Sequence, residues 1–199
     1  MRTPGIRLLP ILLAFLPADL AAQLPIPLAI EARVGIAAPQ GEFSGTETSF
    51  GAEAGPTLGI GLRLDLVPQL GIFGGYQQTN FGCDRCAGLL LDDSAVLKGL
   101  EAGVQLSLPL AAAGVIPWIR GSVMQQTLGF SGQGETLTSE AAIGYNAGAG
   151  LTARFAERFE ISPGVRFISA PADFDFTTLP DRHIDVAAFA IDFALAVRL

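Results

Sequence analysis

Along most of this chain the hydrophobic positions recur every second residue. Leu58, Ile60, Leu62 and Leu64 alternate with Gly59, Gly61 and Arg63, and Asp65 follows. One face of such a segment is apolar and the other is small or charged, the signature of a β-strand with two unlike faces. Beyond the first two dozen residues no stretch carries a 3.6-residue period. The pattern predicts eight strands, at about 27–37, 50–66, 69–80, 95–108, 116–127, 139–155, 159–169 and 184–199. Each is long enough to cross a bilayer at a tilt, which takes about 9–11 residues.

The predicted connections alternate in length. Short ones lie around Val67-Pro68, Pro109 to Val115, and Ala156-Glu157-Arg158. Long polar or Gly-rich ones run from Pro39 to Ser49, Phe81 to Ser94, Leu128 to Thr138 and Ala170 to His183. Short turns on one side and long loops on the other suit an antiparallel up-and-down transmembrane barrel. The even strand count puts both termini on the short-turn side. The expected fold is therefore all-β, an eight-stranded barrel spanning residues 23–199.

Alternation alone does not say which face looks outward. A soluble lipocalin-like barrel hides its apolar face, and a membrane barrel turns it toward lipid. The second face decides in favour of the membrane. It carries mostly Gly, Ala, Ser and Gln, as in Gly144, Asn146, Gly148, Gly150 and Thr152, rather than the Lys and Glu of a wetted exterior. Small residues suit a narrow lumen. The isolated charges on this phase are Glu31, Arg33, Arg63, Asp65, Glu101, Arg120, Arg154, Glu160, Arg166, Asp192 and Arg198, a near-balanced set. Facing lipid near the midplane, each would cost about 2–4 kcal/mol. Inside, they can pair. The expected pairs are Glu101 with Arg120, Arg154 with Glu160, and Asp192 with Arg33 or Arg166. The lipid face then includes Ile30, Val34, Ile36, Leu100, Val104, Ile119, Val123, Leu151, Ile161, Val165 and the odd-numbered residues from Phe189 to Val197. Tyr76 and Tyr145 fall toward the loop side, and Phe155 and Phe159 toward the turn side. Strict alternation points Trp118 inward beside Arg120, unless a bulge turns it out.

Composition changes the picture in three places. Arg2 and Arg7, the apolar run from Leu8 to Leu16, and the small residues Leu20-Ala21-Ala22 read as a signal peptide over residues 1–22, cleaved after Ala22. The run Ala102 to Ile119, as long as any uncharged stretch of the chain, is broken by Pro109, Gly114 and Pro117, so it is no transmembrane helix. The net charge of −7, with one Lys and no basic run, argues against a nucleic-acid partner.

The stretches Gly144-Tyr145-Asn146-Ala147-Gly148-Ala149-Gly150-Leu151, Pro117-Trp118-Ile119-Arg120-Gly121 and the C-terminal Phe193-x-Leu195-x-Val197-x-Leu199 resemble the outer-membrane β-barrel domain family, the barrels of OmpA and OmpX type. The resemblance is one of pattern over nearly the whole chain after residue 22. It implies residence in the bacterial outer membrane, contact with its lipid and lipopolysaccharide, and handling by the barrel-assembly machinery. It also implies roles in membrane integrity, adhesion or defence evasion, with an extracellular ligand at the loops left open. The family usually ends on an aromatic residue; this chain ends on Leu199.

Candidate chemistry is sparse. Cys83-Asp84-Arg85-Cys86 lies in a long loop, and in an exported chain a local disulfide is the expectation. A redox site would need a following helix, and zinc about four ligands. His183 is the only histidine. A lipid A-modifying enzyme on this scaffold would centre on it, with a serine such as Ser169 brought close by the fold. The acid pairs Asp92-Asp93 and Asp173-Phe174-Asp175 read as solvated loop residues, with a bridging divalent cation as the alternative. No cofactor or metal site is implied, and no catalysis is expected. The alternatives are the His183-centred enzyme and a soluble periplasmic binding barrel.

Overall fold

A computed structural model describes residues 27–40, 43–45, 49–84, 94–108, 114–132, 135–156, 158–174 and 182–199. The expected signal peptide, Cys86 and the Asp92-Asp93 pair lie outside the described residues. All regular structure among the described residues is strand: β1 (Leu28–Pro39), β2 (Phe43–Gly45), β3 (Ser49–Glu53), β4 (Gly55–Val67), β5 (Leu70–Asp84), β6 (Ser94–Ser107), β7 (Val115–Gly132), β8 (Glu135–Thr138), β9 (Ala142–Phe155), β10 (Phe159–Phe174) and β11 (Arg182–Arg198).

Eight of these are staves of a closed antiparallel barrel. The order β1-β4-β5-β6-β7-β9-β10-β11 returns to β1, where Ala29 opposes Arg198 and Val34 opposes Phe193. Closure leaves no unpaired edge, the condition for a sheet surrounded by hydrocarbon. The short pieces β2, β3 and β8 prolong the wall at the loop end, where β2 pairs with β11, β3 with β5, and β8 with β7.

One expected strand is divided: the segment predicted over 50–66 breaks at Ala54 into β3 and β4. That predicted over 139–155 begins at Ala142 as β9, and β8 lies in the loop expected before it. Between β8 and β9 the backbone bulges. The Leu128 amide donates to Ser139 Oγ at 2.9 Å and the Ser139 amide returns a bond to the Leu128 carbonyl at 2.8 Å, so a side chain replaces one rung of the ladder.

The larger departure is at the loop end. Strands predicted to stop at residues 80, 127 and 169 continue to Asp84, Gly132 and Phe174. Inward and outward positions keep their parity there, but the apolar residues move from the outward set to the inward one. On β11 the odd residues Phe189, Ile191, Phe193 and Leu195 face outward, but higher up the even residues Ile184, Val186, Ala188 and Ala190 are buried inside. On β10, Val165 faces out and Ile168, Ala170, Ala172 and Phe174 face in. On β7, Val123 faces out and Met124, Leu128 and Phe130 face in. One wall thus has two polarities. Its lower part is apolar outside and charged inside. Its upper part is polar outside and encloses an apolar cluster of Phe81, Leu97, Met124, Leu128, Phe130, Ile168, Phe174 and their neighbours.

Candidate functional site: the outward belt and the luminal ion network

Outward positions of the lower wall form a continuous apolar band. Ile36, Ile60, Leu100 and Ile191 are each more than 60% exposed, and Ile30, Val34, Leu58, Leu62, Val104, Leu106, Ile119, Val123, Leu151, Ile161, Val165, Phe193 and Leu195 are exposed with them. An aqueous exterior does not sustain a patch of this extent. Leu64, Phe167 and Val197 share the band, partly covered by neighbours. Aromatic side chains lie at both margins. Phe155 and Phe159 stack at 5.7 Å beside the β9–β10 turn. Tyr76, Tyr145 and the pair Phe167–Phe189, at 5.2 Å, lie toward the loop end. Rings at both margins of an apolar band form the girdles found on membrane barrels.

Inside the same section stands a column of ions. At the short-turn mouth Arg198 holds Asp65 at 3.0 Å, and Asp65 also accepts from Arg63 at 3.0 Å. Arg63 in turn bonds Glu160, whose other oxygen takes Arg154 at 2.9 Å. Glu160 is 1% exposed, whereas the Arg154 side chain opens to the mouth. Above them Arg120 grips Glu31 with both terminal nitrogens, at 2.7 and 2.9 Å, the fork-to-fork geometry that makes arginine the cation of choice here. Arg33 bridges Glu31 at 3.0 Å and Glu101 at 3.2 Å. Arg166 binds Asp192 at 2.9 Å and reaches Gln77 and Thr57.

One expected contact is therefore rearranged. Glu101 does not pair with Arg120: it takes Arg33 and Asn146, the latter at 3.2 Å, while Arg120 goes to Glu31. Of the two partners open to Asp192, Arg166 is the one at bonding distance; Arg33, an equally diagonal neighbour on β1, turns to Glu31 and Glu101. The Glu31–Arg120 bridge crosses the lumen between strands that are not neighbours, so no cross-strand reasoning would find it. Sequence reading also missed Gln77, Thr57 and Gln105. Their inward phase was visible, but neutral side chains carried no signal against the many small polar residues around them.

Trp118 points inward and is buried, with the Arg120 guanidinium 5.2 Å from its ring and 4.5 Å from that of Phe73. Two glycines make the space. A Cβ on Gly150 would lie 2.4 Å from the indole, and one on Gly164 2.7 Å from it. No bulge is needed to accommodate the ring.

His183 stands outside the barrel at the loop end. Its Nδ1 meets Asp173 at 2.6 Å and its Nε2 meets Asp185 at 3.2 Å. The hydrogen bond to Asp173, with the charges of both carboxylates, holds its pKa above the ordinary histidine value. Among the described residues no serine hydroxyl bonds to it, and Ser169 pairs with Ala187, four residues along β11. Cys83 lies on β5 opposite Ala52.

Neisserial surface protein A superposes with a TM-score of 0.63 at 13% identity, covering 86% of this chain and 97% of that one. The outer membrane protein OprG from Pseudomonas aeruginosa gives 0.58 at 13%, covering 86% and 95%. This chain has the fold of the outer-membrane β-barrels. The outer membrane protein AlkL, whose structure was determined in lipid bilayers, gives 0.57 at 11%, covering 87% and 90%. The eight-stranded architecture of the OmpA/OmpX-like barrels thus recurs at identities too low to carry anything but fold. No protein-family model matches the chain, and no curated protein matches it in sequence.

Proposed function

We propose that this chain is exported with cleavage of residues 1–22 and resides in the bacterial outer membrane as a non-catalytic structural and interaction barrel. Its external loops contact lipopolysaccharide or an extracellular partner, and the barrel-assembly machinery inserts it. The supporting observation is the outward apolar band, bounded by aromatic rings, that surrounds an enclosed ion column. A soluble binding barrel requires the opposite arrangement in this section. The Cys83–Cys86 disulfide belongs to the same reading, as a pin for a loop meeting an oxidising compartment.

The lumen favours a closed barrel over a diffusion pore. Ion pairs fill the lower half and the Phe81–Phe130–Phe174 region fills the upper half. Eight strands enclose an interior that side chains occupy. The enzyme reading loses ground at His183, both of whose ring nitrogens face carboxylates.

The test is cell fractionation with gel analysis. The mature protein should begin at Gln23, require detergent for extraction, and migrate differently before and after boiling. It should pass no steady current in planar bilayers and show no labelling by a thiol reagent until reduced. Recovery of the folded protein in the soluble periplasmic fraction would overturn the membrane assignment. A lipid A acylation change in a His183→Ala strain would restore the enzyme.

A further inference from the structure

The level at which the wall reverses polarity marks where hydrocarbon gives way to head groups, and a groove of about 300 Å³ opens on the outer surface at that level. Hydrogen-bond register lines up its outward residues. Ile60, Tyr76, Leu100, Gln125 and Ile143 form one row across β4, β5, β6, β7 and β9. Leu58, Gln78, Lys98 and Thr127 form the next row toward the loops. The band is apolar up to the first row. In the second, on β5, β6 and β7, it turns polar, and there stands the chain's one lysine, exposed. Tyr76, Leu100, Lys98, Gln125 and Thr127 line the groove, and no carboxylate does. Elsewhere above the band the described residues Asp173 and Asp185 face outward.

Resting on the outer-membrane reading, we infer that this groove binds the phosphorylated glycolipid of the outer leaflet. Lys98 takes a head-group phosphate. Gln125 and Thr127 offer hydrogen bonds to the sugar or to an ester or amide at the root of an acyl chain. The chain itself descends over Leu100, beside the Tyr76 ring. Three features argue for a phosphorylated lipid over a soluble anion. The cation lies one residue pair above continuous hydrocarbon-facing surface, the floor between is apolar, and the groove opens sideways into the head-group layer. Lysine is a point cation suited to phosphate, and a single basic residue at a membrane surface changes affinity about fivefold.

The experiment uses the detergent-extracted, folded barrel and native mass spectrometry with purified lipid A, compared with lipid A stripped of its phosphates and with phosphatidylglycerol. Wild type and Lys98→Arg should retain lipid A, and Lys98→Gln should retain it about fivefold less well. Dephosphorylated lipid A should show the same loss on wild type, a measurement that needs no variant to fold. Equal retention by wild type and Lys98→Gln, indifference to the phosphates, or equal retention of phosphatidylglycerol would overturn the site. Detergent dependence and heat-modifiable migration are read on the same samples. If they fail, the membrane reading falls with the site; if they hold while lipid A binding ignores Lys98, the site falls alone.

Discussion

The two halves of this barrel's lumen solve one packing problem by opposite chemistry. Near the short turns the enclosed residues are Arg63, Glu160, Glu31 and Arg120, arginines and acids in pairs. Toward the loops they are Leu97, Met124, Phe130 and Ile168. The outside reverses in step, from Ile191 and Leu195 below to His183 and Asp185 above. Each half presents outward what its surroundings favour and hides the complement. In hydrocarbon an apolar exterior is neutral, so the interior is free to be polar, provided every charge finds a partner. In water the ordinary hydrophobic drive returns and the upper barrel packs like a soluble core.

The sharpest way to break this contrast is a charge in the dry half. Leu97→Asp places a carboxylate opposite Thr79 and Leu128, with no arginine among its register neighbours, and should cost about 3–5 kcal/mol, the penalty of an uncompensated buried charge. Heat-modifiable migration at ordinary temperatures should be lost. If that variant folds as well as wild type, the upper lumen is wet and the contrast is wrong. Truncation in the same half tests packing alone. Phe130 lies 5.6 Å from Phe174, ring to ring. Phe130→Ala should cost about 3 kcal/mol through the cavity it leaves, read as a lower urea midpoint of refolding into detergent micelles.

The wet half should answer to charge and not to volume. Glu160→Gln keeps the shape of the side chain but removes the anion shared by Arg63, Arg154 and Arg198. A loss of about 1.5–3 kcal/mol is expected, typical of hydrogen bonds to charged groups. In that variant Arg63 keeps Asp65 and Glu31 and Arg154 opens to the mouth, so no guanidinium is buried without a partner and the loss, read from urea midpoints, should stay at the low end of that range.

The smallest effect belongs to the outer surface. His183 is raised in pKa by its bond to Asp173 and by the nearby carboxylates. A group raised in the folded state stabilises fully below its unfolded pKa, near 6.5, and loses that contribution as pH rises through the folded value. Wild type should therefore lose a small increment of stability between neutral and alkaline pH that His183→Asn lacks. The group is largely solvated, so the difference should stay near the detection limit of a pH series of urea midpoints.

Much of the lower barrel was legible in the order of residues. A period of two over Leu58 to Leu64, set against glycines and single charges, implies strand, face and lumen together. The eleven luminal ions share one phase because an ion on the other phase would meet lipid. The upper barrel was misread as loop at Phe81, Leu128 and Ala170 for the same physical reason. Alternation continued there but shifted by one residue, and a pattern that changes phase resembles a pattern that ends. Pairing was the other blind spot. Adjacent-strand logic covers Arg154 with Glu160, but the Glu31–Arg120 fork spans the barrel's diameter.

Period and polarity are local properties, so the order of residues alone implies β-structure, unlike faces and charges gathered away from the grease. Which acid meets which arginine, where the wall exchanges its inside for its outside, and that Trp118 rests over two glycines all follow from the closed fold. Those depend on register and curvature around a closed ring, which bring together residues that the linear order leaves far apart.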